Sequence, residues 1–460
     1  MVDTAPETEA ARDDDEVITP DFVRAVEDAI EAKDAATLRQ LTEDLHEADL
    51  ADLIEVLSPA EREGLVTLLG KDLDYAALTE LEEAVRDEIL EYMSHEHVAE
   101  AVMELDSDDA VYLLEDLDET DQLAILSRIP EIERAAVERS LEYPEDSAGR
   151  LMQSEFVAVP PFWTVGQTID YMRTTDDLPQ SFHEIFVIDP GFHLVGTIPV
   201  SRILRTMRDV RITDVMDTDQ TIFPVDRDQE EVAYEFEQYN LLSAAVVDKD
   251  QRLVGVITID DVVDVIREEA SEDIALLGGV RDEGITDTVM ETTRGRFAWL
   301  LLNLGTAIAA SLVISLFDAT IEQMVALAVL MPIVASMGGN AGTQTLTVAV
   351  RSIATRDLGP LNAARVVMRE TTVGLLNGLI FAVIMGAVAY FWFGQGDLGL
   401  VIAAAMVVNM LVAGLSGILI PLALDRFEID PAVASAVFVT TVTDVVGFFA
   451  FLGLAAIWLV

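Results

Sequence analysis

Five long apolar stretches fill the carboxyl-terminal part of this 460-residue chain, at 297–317, 323–350, 371–393, 398–424 and 432–459. Crossing the roughly 30 Å hydrocarbon core of a bilayer takes about 20 apolar residues in a helix, and each stretch supplies that length. A segment in lipid must also satisfy its backbone polar groups internally. The carboxyl-terminal part is therefore constrained to be a bundle of five membrane-spanning α-helices, at 297–460. Basic residues flank these stretches on one side only, at Arg294, Arg296, Arg351, Arg356, Arg365, Arg369 and Arg426, while Asp318, Glu322 and Asp397 occupy the other loops. The positive-inside rule puts residues 1–296 in the cytosol and Val460 outside. The start of the chain, which includes Asp13-Asp14-Asp15-Glu16, lacks the basic opening and apolar core of a secretory signal, so a cytosolic amino terminus is expected.

Polar side chains inside the spans point to ion handling. Asp444 lies deep in the fifth span beside Thr440, Thr441 and Thr443. An ionisable group at that depth costs several kcal/mol unless it meets water, a partner or an ion. No basic residue occurs inside any span, so Asp444 either meets a cation or is protonated. Asn340, Thr343, Gln344, Thr345 and Thr347 crowd the second span, with Asn409 and Ser416 in the fourth. The run Gly338-Gly339-Asn340-Ala341-Gly342 suits close helix packing equally well. Magnesium fits such sparse chemistry, because it sheds water reluctantly and is held through one or two carboxylates with several waters retained. Asp444, with Asn340, Gln344, Thr440 and the backbone at Gly339, forms the candidate pore site, helped by carbonyls that Pro332 frees.

The charge sits in front of the spans. The stretch 297–460 holds nine acidic and five basic side chains, a net of −4, so the stretch 1–296 carries −51 of the total −55. With only three lysines and no basic stripe, a nucleic-acid partner is excluded. Either adaptation to high salt or cation sensing accounts for such acidity. Cysteine is absent, which removes disulfides and thiolate metal sites.

Two internal repeats organise the cytosolic part. Over 19–147 the spacing is helical, and Leu57-Ser58-Pro59-Ala60-Glu61, Leu105-Asp106-Ser107-Asp108-Asp109 and Leu117-Asp118-Glu119-Thr120-Asp121 each carry a capping-box pattern or its acidic variant. Stacked helical hairpins are expected, behind an acidic tail at 1–18. Over 148–267, Phe186-Val187-Ile188-Asp189 with Leu194-Val195-Gly196 recurs as Ala245-Val246-Val247-Asp248 with Leu253-Val254-Gly255, every member at the same offset. Each unit reads as hairpin strands followed by a helix, at 148–212 and 213–267. The pair resembles a tandem CBS module, which usually dimerises. Thr258-Ile259-Asp260-Asp261 is similar to the turn that contacts a nucleotide ribose in CBS modules, which assigns Thr258 and Asp261 to ATP if it binds; the first copy, with Thr197-Ile198-Pro199-Val200-Ser201-Arg202, lacks the acid. A helix carrying Asp261, Asp264, Glu268, Glu269, Glu272 and Asp273 follows, and a connecting helix at 268–296 leads to the first span.

In this order of parts the chain resembles the MgtE family of magnesium channels, on Tyr143-Pro144-Glu145-Asp146-Ser147-Ala148-Gly149-Arg150-Leu151-Met152, Gly338-Gly339-Asn340-Ala341-Gly342-Thr343-Gln344 and Asp430-Pro431-Ala432 leading to Thr440-Thr441-Val442-Thr443-Asp444-Val445-Val446-Gly447. The resemblance implies a homodimer in the cell (inner) membrane, with second and fifth spans lining one pore and Asp444 as its carboxylate. It implies that cytosolic Mg2+ closes the channel by bridging carboxylates at Asp109, Asp228, Glu230, Asp261, Asp264, Glu269, Glu272 and Asp273. Asn240 stands where an acidic sensor ligand occurs in relatives, and Ala436-Val437 where a polar residue and a proline do.

Other classes compete less well. The nearest approach to a phosphate loop, Gly64 to Gly70-Lys71-Asp72, has the wrong spacing, and no His-Glu-x-x-His occurs among the five histidines, so ATP hydrolysis and zinc proteolysis are not expected of this chain. A proton- or sodium-coupled exchanger and a non-transporting CBS-bearing anchor remain as alternatives to a channel.

Overall fold

The structure, a computed structural model, describes residues 18–280 apart from 176, 177 and 180, and 289–459 apart from 360, 428 and 434. Most of the acidic tail and residues 281–288 of the connecting stretch lie outside the described residues. Two compact units divide the chain between Arg267 and Glu268.

The first unit begins with short helices, Pro20–Glu31 to Glu131–Leu141, whose leucine and valine faces form one core including Val26, Leu38, Leu53, Ile54, Leu65, Leu78 and Val85. Their starts follow side-chain chemistry. Asp34 accepts from the amides of Ala36 and Thr37 at 3.2 Å each, and at Ser58 the capping box is complete, with the Ser58 amide donating to Glu61 at 2.8 Å and Pro59 in the first turn. The Ser107–Leu114 and Glu119–Leu126 helices begin where the acidic variants predict, but neither Asp106 nor Asp118 makes a side-chain cap bond. Acid in the first turn complements the helix dipole there instead.

Two three-stranded sheets follow. In the first, β1 (Ala158–Val159) pairs parallel with β2 (Glu184–Ile188), which pairs antiparallel with β3 (Leu194–Pro199); in the second, β4 (Ile222–Pro224), β5 (Ser243–Val247) and β6 (Leu253–Thr258) repeat that order. Phe186 pairs with Thr197 and Ala245 with Val256, with a register shift after Val187 in one copy and Val246 in the other. The repeats are locked crosswise. Gly196 of the first faces Met216 and Asp217, which lead into the second, and a Cβ there would stand 2.6 Å from the Asp217 carbonyl. Gly255 of the second faces Met152 and Gln153, which lead into the first, with Met152 Sδ at 2.5 Å from the same position. The glycine of each Leu-Val-Gly is thus needed for the other repeat's entry strand to pass.

The helix after β6 runs unbroken from Ile259 to Gly278, so it crosses position 267, where the sequence suggests a separate connecting helix.

In the second unit the long helices are Val289–Ser315, Ala326–Ala354, Ala363–Phe393, Gly396–Arg426 and Ser435–Trp458, all long and apolar enough to cross a membrane. A short helix, Asp318–Gln323, joins the first two. The fourth span is the hub, packed against the second, third and fifth, with Val401, Ile402, Ala405, Met406 and Ala413 fully buried.

Candidate functional site

The second span separates its residues by face. Gly338, Gly342, Thr345 and Leu346 are buried, while Ser336, Asn340, Thr343, Gln344 and Thr347 are exposed on the outside of the single chain. Among the described residues, Asn340 bonds Ser336 alone, at 3.4 Å, and nothing beyond the helix's own backbone and the neighbouring residues stands within 4 Å of where a Cβ on Gly339 would lie. Against the buried face runs the fifth span: a Cβ on Gly342 would meet Val439 at 2.5 Å. Asp444, half-buried, follows Thr440 by one helical turn and, among the described residues, has neither hydrogen bond nor ion pair. The Thr440 hydroxyl donates to the Ala436 carbonyl at 2.9 Å, so only its acceptor lone pairs remain for a hydrated ion. Gln344 also lines a 190 Å³ cavity with Thr345, Glu370 and Asn377.

A second polar group holds these helices together. Asn409, fully buried on the fourth span, donates to the Val334 carbonyl at 2.7 Å. Its carboxamide sits against two glycines, since a Cβ on Gly338 would lie 2.1 Å from Nδ2 and one on Gly447 would lie 2.8 Å from it. The second, fourth and fifth spans therefore meet at one amide.

In the first unit the structure brings Asp109 and Asp261 together. Burial, then the Asp261 carboxylate, pushes Asp109 up to about 7, and burial raises Asp261 to about 6. Asp108, buried, is pushed up by burial and by Asp261 and Asp109. Among the described residues, no basic side chain appears with the main groups that shift these three carboxyls. These three acids repel one another without a countercharge, but they do not converge closely enough to form a ready-made ion site. The Thr258 hydroxyl donates to Asp261 at 2.6 Å, which joins the candidate nucleotide turn to the same cluster.

Asp264 instead faces Glu80, whose carboxyl is pushed up by burial and by Asp264, and lies 3.8 Å from Arg267. Asp228 caps the Gln229–Tyr239 helix, accepting from Glu230 N at 2.9 Å, and has Asp146 as an acidic neighbour. Glu230 and Glu272 are exposed and Glu269 half-buried. Asp273, in the second unit, is pushed up to about 6 by burial, then by Asp430 and Glu272. Among the described residues no three acidic or histidine side chains form a preformed cage for an ion.

Comparison with known proteins agrees with these features in order. The MgtE intracellular N domain matches 45–146, the CBS domain 148–209 and 212–268, and MgtE, described as a divalent cation transporter, 331–454. A magnesium transporter MgtE of Thermus thermophilus is 32% identical over 445 residues, covering 95% of this chain and 98% of the relative. The chain belongs to the MgtE family. A second MgtE relative, from Bacillus subtilis, is 29% identical over 418 residues, 91% of this chain and 93% of its own. A crystal structure of the cytosolic domain of the Mg2+ channel MgtE in complex with ATP aligns at 30% identity with a TM-score of 0.49, covering 53% of this chain and 99% of its own.

Beyond the residues that sequence reasoning singles out in this MgtE chain stand Asp430, Asp108, Glu80 and Glu370. Asp430 is visible in the sequence only as part of a motif, with nothing local to pair it with Asp273. Glu370, whose side chain is 12% exposed, lies beside Thr345 at 3.4 Å and carries an ion pair to Arg369. Its place near one end of the third span makes it look like one of many interfacial charges.

Proposed function

We propose that this chain is a magnesium channel whose ion path forms between two copies, in a cell membrane with the amino-terminal domains in the cytosol and the carboxyl terminus outside. The observation that carries this reading is the uncovered polar face of the second span, Ser336, Asn340, Thr343 and Thr347, in a helix otherwise suited to lipid. Polar groups at membrane depth face water or protein. A second copy placed on this face would enclose it, with Asp444 from each chain supplying the charge that attracts a hydrated cation. Relatives named as magnesium transporters support magnesium as the ion. Exposed apolar residues at Leu204, Met207, Tyr239, Leu242 and Val263 support a second contact between copies in the CBS pair.

Closure follows from the same acids. At low cytosolic magnesium, Asp108, Asp109 and Asp261 repel, as do Asp273 and Asp430 within the second unit. Magnesium bridging each set would draw its members together and hold the pore shut, with Asp228, Glu230, Asp264, Glu269 and Glu272 adding to the attraction. ATP bound at Thr258 and Asp261 would tune this response.

Liposome flux of the purified protein tests the reading. Magnesium flux that follows its own gradient and the voltage, falls at least about tenfold in Asp444→Ala, and stops as cytosolic-side magnesium rises is the expected result. Flux that requires a proton or sodium gradient would replace the channel with an exchanger. Flux unchanged in Asp444→Ala would remove Asp444 from the ion path.

A further inference from the structure

A cavity of about 530 Å³ opens at the hairpin end of the CBS pair, lined by Arg139, Tyr143, Phe192, Asp248 and Arg252 among others. It is remote from the candidate nucleotide turn. Leu253, in its wall, begins β6 and Thr258 ends it, and five steps of about 3.3 Å along a strand separate them by roughly 17 Å.

Three observations mark this cavity as built for a ligand. First, its volume falls within the range of small-molecule sites, about 300–1,000 Å³. Second, in a chain with 83 acidic residues, neither the Arg139 nor the Arg252 guanidinium has a hydrogen bond or ion pair among the described residues. Among the other arginines of this unit, Arg62 pairs with Glu88 at 2.7 Å and Arg150 with Glu115 at 2.9 Å, whereas Arg173, Arg205 and Arg211 are unpaired among the described residues but, unlike Arg139 and Arg252, do not share a cavity wall. Third, Phe192 holds a left-handed backbone, φ 65°, while 55% exposed. Its counterpart in the second hairpin, Gln251, has φ 63°. The turn therefore demands this conformation in both copies, and a bulky aromatic there carries strain that glycine would avoid, without burial to offset it.

We propose that this cavity binds a phosphorylated ligand bearing a planar ring, of the nucleotide class. Arg139 and Arg252 face its phosphates with charge-assisted hydrogen bonds, and Phe192 and Tyr143 offer aromatic surface to its ring. The Tyr143 ring is fixed against Gly149, where a Cβ would stand 2.6 Å from Cγ. Asp248 spends Oδ1 on the amides of Asp250 and Arg252, both at 2.9 Å, and keeps Oδ2 for a hydroxyl or amino group. Such a ligand would join the last long helix of the N domain, which carries Arg139, to the hairpins of both repeats.

Calorimetric titration of the full-length protein in detergent, free of divalent cations and at fixed ionic strength, with ATP, AMP and pyrophosphate as probes, tests this. The Arg139→Ala/Arg252→Ala double variant is expected to weaken one binding event per chain by at least about tenfold, and Thr258→Ala to leave that event in place. Phe192→Gly, which relieves the turn and so preserves the fold, is expected to weaken the two nucleotides but not pyrophosphate. No binding of any probe to the wild type, or binding unchanged in the double arginine variant, would overturn the site. Equal effects of Phe192→Gly on nucleotides and pyrophosphate would overturn the ring contact.

Discussion

The hydroxyl of Thr258 donates a 2.6 Å hydrogen bond to Asp261, and Asp261 is at the same time the carboxylate that raises Asp109. One side chain thus stands between the CBS turn and the N domain. The Thr258 bond favours the charged form of Asp261, against the burial that disfavours it. Thr258→Val removes the bond with little change in shape. The protection from protease expected of the proposed magnesium-driven closure should then need more magnesium, by roughly tenfold for a lost charge-assisted bond.

The acid cluster also sets a pH dependence with a definite sign. Asp109 at about 7 and Asp261 at about 6 bind protons more tightly when folded than an ordinary carboxylate does. Folding therefore takes up protons, and the stability contributed by the protonated pair is fully present near pH 4 and lost as pH rises through about 6 to 7. Without divalent cations, the thermal midpoint of the first unit should fall between pH 5 and pH 8. Magnesium should restore it at pH 8 and flatten the profile, and Asp109→Asn should remove much of the slope. Differential scanning calorimetry of the full chain reads all three.

Much of this architecture is legible in the sequence, and the reasons differ by element. The five spans follow from length and apolarity, and their observed ends, such as Ala363 where 371 is expected, move because Ala363 to Glu370 is helical while carrying Arg365, Arg369 and Glu370. The twin hairpins follow from a sequence repeat that the paired registers reproduce. The crosswise packing of Met152 on Gly255 is not legible, since nothing local says that an entry strand serves the distant copy. Nor is the meeting of Asp273 with Asp430, which depends on how the helix ending at Gly278 lies against the start of the fifth span. Asp109 and Asp261 are named by family resemblance; their crowding comes from tertiary structure.

At the joint of three spans, Gly338→Ala would drive a methyl into Asn409, 2.1 Å from Nδ2. Overpacking of this kind costs about 1–3 kcal/mol. Asn409→Ala in the same chain makes room, so the double variant should be less destabilised than the two single effects summed, with a coupling of about 0.5–3 kcal/mol. Thermal unfolding in detergent measures the cycle.

Arg86, 1% exposed, pairs with Asp116 and lies 4.2 Å over the Tyr112 ring. Arg86→Ala empties a packed site and should cost about 2–4 kcal/mol. Asp116→Asn leaves the buried Arg86 guanidinium without its nearest countercharge and should cost about 3 kcal/mol. Denaturant titration of the first unit within the full chain measures both.

The crosswise glycines impose an order in time. Gln153 can reach its partner Val256 only after the ribosome has made the second hairpin, a delay of about 5–20 s at 5–20 residues per second. Until then Met152 has no Gly255 to cover, and the first repeat emerges with an apolar edge that its own residues do not close. The first membrane helix, which begins at Val289, follows Thr258 closely in the chain, so the cytosolic pair and membrane insertion mature within seconds of each other.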